Sequence, residues 1–132
     1  MIRCAVIIAG CLMAGQAQAG CIALEAWDTG AAPFGFETCG TGLGEGGAAF
    51  RYCMKPFAYR DPAAAAEFAR LNGEIAACLG QQVAAGADAL VNHPDSYDLR
   101  QYETRTGTVS LSLKDKGALG QTLIFLRVQE GE

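Results

Sequence analysis

The chain has 132 residues, 14 Asp+Glu against 10 Lys+Arg, one His and a formal net charge of −4, with 51% hydrophobic and 18% charged residues. That apolar fraction excludes wholesale disorder, and the length predicts one folded domain. The acidic balance, with no run of clustered Lys/Arg in the sequence, argues against nucleic acid and against an anionic membrane surface as the partner.

Residues 1–19 read as an address. Arg3 precedes an apolar run over 4–14, and small residues then lead to Ala17-Gln18-Ala19. This is the order of a cleaved secretory signal peptide. The apolar run is shorter than the roughly 20 residues a spanning helix needs, so the mature form is expected to carry no transmembrane segment. Residues 20–132 then form the domain. Two lipoprotein alternatives compete with cleavage after Ala19, at Ile8-Ala9-Gly10-Cys11 and at Ala19-Gly20-Cys21. Acylation at Cys11 or Cys21 would tether the same domain to a membrane. The expected location is periplasmic or secreted.

Export gives the cysteines their meaning. Cys4 and Cys11 leave with the leader, and Cys21, Cys39, Cys53 and Cys78 stay. An even set of four in a small exported domain predicts two structural disulfides, with three connectivities open. The spacings contain no C-x2-C pair of the zinc or redox kind, so neither a metal site nor a cofactor is expected.

Along the remaining chain, 22–27 is a short apolar segment readable as strand or helical turn. Residues 34–39 and 48–54 alternate like strands and predict a hairpin across the Gly-rich segment 40–47, read as a flexible loop. Pro56 is expected to end the second strand or to mark its edge. Asp61-Pro62 then opens the clearest helix, about 62–79. Asp61 supplies the N-cap, Pro62 the first turn, Ala64, Phe68, Leu71, Ile75 and Cys78/Leu79 one apolar face, and Gly80 the stop. Cys78 on that face suggests a bridge to the sheet.

Residues 81–96 read as a long connection, with a short helical turn at about 84–90. Strands follow at 97–104, at 108–113 with Val109, Leu111 and Leu113 inward, and at 121–128. The apolar run 123–126 in the last predicts cover on both faces. The fold class is therefore α+β: a mostly antiparallel sheet of about five strands packed by one long helix and stapled by disulfides.

Candidate chemistry is sparse. His93, in Asn92-His93-Pro94-Asp95, is the lone imidazole and lies near the carboxylates of Asp95 and Asp98. That suits a general base, and equally a turn built by its neighbours. Ser96, Ser110 and Ser112 have no nucleophile-elbow context, the Gly-rich segment lacks the phosphate-loop lysine, and disulfide parity leaves no thiol for nucleophilic catalysis. No catalytic set is assigned.

Of the aromatics Trp27, Phe34, Phe36, Phe50, Tyr52, Phe57 and Tyr59, one or two are expected to mark a contact patch rather than core. The leading reading is a non-enzymatic exported accessory or binding domain for an unknown protein or small ligand. It would use the 40–47 or the 81–97 segment, with His93, Asp95 and Tyr97 as contacts. One alternative is an inhibitor of a cationic secreted enzyme: in size, compartment and acidic charge the chain resembles small exported lysozyme inhibitors, a likeness of class rather than motif. The other is a small hydrolase or lyase using His93 with Asp95 or Asp98.

Overall fold

A computed structural model describes residues 21–80, 83–87, 97–105 and 107–130. The leader and the lipidation alternative at Cys11 lie outside them, whereas Cys21, the other alternative, is described and its sulfur is bonded to Cys78. In chain order the elements are α1 (Ile22–Asp28), β1 (Thr38–Leu43), β2 (Ala49–Ala58), α2 (Pro62–Leu79), β3 (Ala84–Ala87), β4 (Tyr97–Glu103), β5 (Gly107–Lys116) and β6 (Gln121–Glu130). Among the described residues the strands form one antiparallel sheet in the order β1-β2-β6-β5-β4-β3. This is the expected α+β architecture, with the four-residue β3 added at one edge.

The helix α2 forms where its caps dictate. Asp61 accepts a hydrogen bond from the Ala63 N–H at 2.9 Å, Pro62 occupies the first helical position, and Gly80 ends the helix at φ 89°. Ala64, Phe68, Leu71 and Ile75 are buried on one stripe. They meet a sheet face made of alternate strand residues: Cys53, Tyr102, Val109, Leu111, Ile124, Leu126 and Val128. Fully burying each such aliphatic side chain contributes about 1.5–3 kcal/mol. The Tyr102 hydroxyl donates to Asn72 Oδ1 at 2.5 Å, a polar tie from β4 to α2 inside that layer. At the edge of the layer Glu67 of α2 takes Lys55 of β2 and Arg70, and Arg70 also reaches Glu74 at 3.1 Å.

Both disulfides lie on this covered side. Cys39 and Cys53 face one another in the β1–β2 register with Cα atoms 4.0 Å apart. Cys21 joins Cys78, 57 positions away, with Cα atoms 5.0 Å apart. Cys78 therefore ties α2 to the residue that caps α1, not to the sheet as its position on the helix suggested. The two bridges point to an oxidising, extracytoplasmic setting. Among the described residues no helix is long and apolar enough to cross a membrane.

Several boundaries differ from the sequence reading. Residues 22–28 are helical. The hairpin is displaced toward the glycines: Pro33–Gly35 is a 3-10 turn with Phe34 at φ 54°, and β1 begins at Thr38. Gly40 and Gly42 are strand residues, so the flexible loop shrinks to a tight turn closed by Gly44 N–H to Ala48 O at 2.7 Å. Residues 84–87 pair with β4 as a strand instead of turning as a helix, because β4 offers an unpaired edge to their backbone. β2 runs on through Pro56, which lies beyond the last β1 pair and so has a strand neighbour on one side only.

Candidate functional site

His93 and Asp95 lie outside the described residues. Tyr97 is the first residue of β4 and stands opposite Lys114 in the β4–β5 register. Asp98 is committed elsewhere: its Oδ1 accepts from Arg100 at 2.5 Å and from the Leu99 N–H at 2.9 Å. The four cysteines are consumed in disulfides. Among the described residues no group of three or more His, Cys, Asp or Glu could hold a metal ion.

The sheet has a second face, and no helix is laid across it among the described residues. Its register is uninterrupted, so one alternation runs through every strand. Residues odd in β6 and even in β2 and β5 share this face. They place Tyr52 opposite Arg127, Met54 opposite Phe125, and Ser110 opposite Arg127 on the other side. The expected cover on both faces of β6 is thus corrected. Ile124 and Leu126 are sealed, while Leu123, Phe125 and Arg127 stay partly exposed.

The Gly-rich segment explains how the aromatic side chains lie here. Gly40 and Gly42, two residues apart on this face, oppose Tyr52 and Phe50. A Cβ at Gly40 would stand 2.8 Å from the Tyr52 hydroxyl oxygen, and one at Gly42 would stand 2.6 Å from the far carbon of the Phe50 ring. Only glycine lets both rings lie across β1. The rings continue as a row: Phe50 to Tyr52 at 6.1 Å between centroids, then Tyr52 stacked on Phe125 at 5.3 Å and 12°.

Cations sit on that row. The Arg127 guanidinium lies 3.9 Å from the Phe50 centroid, and its side chain donates to Gln129 Oε1 at 3.0 Å. The Lys114 ammonium lies 4.8 Å from the Phe125 centroid. Along the described strands the face carries Lys114, Lys116 and Arg127 against one carboxylate, Glu103, which accepts from Thr108 at 3.2 Å. Burial first, and then repulsion from Lys116 and Arg127, pushes the Lys114 ammonium below the ordinary lysine range. A shallow depression of about 330 Å³ opens among these groups. β4 lines it with Leu99 and Gln101, β5 with Thr108, Ser110 and Lys114, and β6 with Phe125, Arg127 and Gln129. Cations crowded beside neutral hydrogen-bonding side chains can hold an oxyanion by charge-assisted bonds.

Of the seven aromatics singled out in the sequence, Trp27, Phe34, Phe36 and Phe57 pack against the core, Phe50 and Tyr52 belong to the open face, and Tyr59, just past β2, lies under the Arg60 guanidinium at 5.0 Å. Sequence reasoning missed Phe125, Lys114 and Arg127. Part of the signal was present: 108–114 alternates and its polar phase groups Ser110 and Lys114, whereas the apolar run 123–126 hides the phase that sets Phe125 and Arg127 beside them until the β5–β6 register is known. Compared with known proteins, the chain matches no family model, no curated protein and no solved structure.

Proposed function

We propose that this protein is an exported binding domain, released from its leader after Ala19, whose contact surface is the open face of the sheet. The observation that carries this reading is the row of Phe50, Tyr52 and Phe125 dressed with Arg127 and Lys114, in a chain whose net charge is −4. Partly exposed aromatic rings beside fixed cations serve recognition better than packing, and the covered face already supplies the core. The reading is non-enzymatic. The cysteines are braces, and Asp98, one carboxylate of the hydrolase alternative, is bound to Arg100. A cationic enzyme would meet like charge on this face, which disfavours the inhibitor alternative as the use of this surface.

The test is a set of titrations of the 15N-labelled, oxidised protein with soluble ligands grouped as anionic, neutral and cationic. The side-chain amides of Gln101 and Gln129 report the open face, and that of Asn72 reports the covered side. Movement of the Gln101 and Gln129 signals by anionic ligands, with Asn72 still, is the expected result. Movement confined to Asn72, or no movement with any group, would overturn the reading. Intact mass of the exported protein checks cleavage before Gly20.

A further inference from the structure

We infer that the ligand of the open face is an acidic glycan, a saccharide chain carrying carboxylate or sulfate groups. It would set a sugar ring against Phe125 and pair its acid groups with Arg127 and Lys114. The inference rests on the binding-domain reading above and adds the chemistry of the occupant.

Charge complementarity is the first argument. Among the described residues three cations share the face with one carboxylate, while the chain as a whole is acidic. An anion entering the depression would offset the mutual repulsion of Lys114, Lys116 and Arg127. The Arg127 guanidinium lies over Phe50 and donates to Gln129 Oε1, two contacts that hold it in place before any ligand arrives.

The neutral lining is the second argument. Gln101, Ser110 and Gln129 each offer donors and acceptors, and a ligand rich in hydroxyl groups needs both at once. A ligand that is only an anion would leave those groups to water.

The third argument is shape. The depression is shallow and meets the aromatic row only at Phe125, with no deep apolar hole to seat a peptide anchor side chain. Phe125 is the aromatic side chain of the lining, and Tyr52 stacked on it at 12° braces it as an apolar contact for the C–H groups of a sugar ring. Nucleic acid would satisfy the charge too; the disulfides point to an oxidising, extracytoplasmic setting, which favours a polyanion met outside the cytoplasm.

The test is calorimetric titration of the oxidised protein with oligogalacturonate and a heparin-derived hexasaccharide. Maltohexaose, polyglutamate and a single-stranded thymidine oligonucleotide are compared with them. We expect one or both acidic glycans to bind more tightly than the other three, and the affinity to fall with added salt. Arg127→Gln and Lys114→Gln, made separately, should each weaken that binding by about tenfold, as loss of a charge-assisted contact does. Arg105→Gln, an exposed cation of the β4–β5 turn, should leave it unchanged. Phe125→Leu, which keeps an apolar side chain but removes the ring, should weaken both the acidic glycans and any residual binding of maltohexaose. Polyglutamate or the oligonucleotide binding more tightly than both glycans would overturn the glycan assignment while leaving the binding face in place. Glycan binding unaffected by Arg127→Gln and Lys114→Gln would overturn both.

Discussion

Under α2, Val109, Leu111, Ile124 and Leu126 are sealed from solvent completely, while their chain neighbours Ser110, Phe125 and Arg127 point the other way and stay partly exposed. The same strands thus serve two purposes on alternate residues. The covered side holds the apolar layer, both disulfides, the Tyr102–Asn72 bond and the Glu67 ion pairs. The open side holds the crowded cations and the aromatic row, and burial and like charge both work against Lys114 there. A protein can keep such a costly arrangement on one face because the other face carries the folding free energy.

Substitutions that touch one side at a time sharpen this contrast. The largest loss is expected from removing a bridge. Replacing Cys21 and Cys78 together by Ala frees a 57-residue separation and should lower unfolding free energy by about 4 kcal/mol, against about 3 kcal/mol for the 14-residue separation of Cys39 and Cys53. Urea unfolding of the two double variants measures the difference. An equal or reversed order would show that chain-entropy reasoning fails here.

Leu126→Ala, on the covered face, should cost about 3 kcal/mol in the same assay, because it leaves a cavity under α2. Phe125→Leu, one residue along, should cost less than half as much; equal costs would erase the distinction between the faces. Tyr102→Phe should cost about 1 kcal/mol by leaving Asn72 without its buried donor.

Acid probes the Glu67 ties at the edge of the covered layer. Hydrogen bonds from Arg70 and then Lys55 pull the Glu67 carboxyl down from its ordinary 4.5 to about 2. Its folded value lies below the unfolded one, so its contribution is fully present above pH 4.5 and is lost as pH falls toward about 2. Carbon-detected titration of the Glu67 carboxyl should show a midpoint near 2, and Lys55→Met should raise it. A wild-type midpoint near 4.5 would mean the pairs do not form in solution.

Much of the covered side was legible in the sequence. Asp61-Pro62, the 3–4 spacing of Phe68, Leu71 and Ile75, and Gly80 specify α2 locally, and alternation gave β5 its inward phase, while the apolar run 123–126 left the two faces of β6 undistinguished. Cysteine parity gave two bridges but not their partners, because Cys78 meets Cys21 only once α1 is docked. The open side was harder to read for a physical reason. The glycines of β1 look like a loop until Phe50 and Tyr52 are laid against them, and the net charge of −4 hid three cations that alternation gathers on one face. β3 has an alanine-rich sequence with no strand preference of its own and exists through its pairing with β4.

The account turns on the open face being free for contact because it is not needed for folding. Urea unfolding of the Arg127→Gln, Lys114→Gln double variant tests this most directly. The account predicts a midpoint equal to or above that of the unaltered protein, since the loss of two cation–ring contacts is offset by relief of repulsion. A loss of about 3 kcal/mol, the size expected for a cavity in the covered face, would make the cations and rings part of the core's support and contradict it.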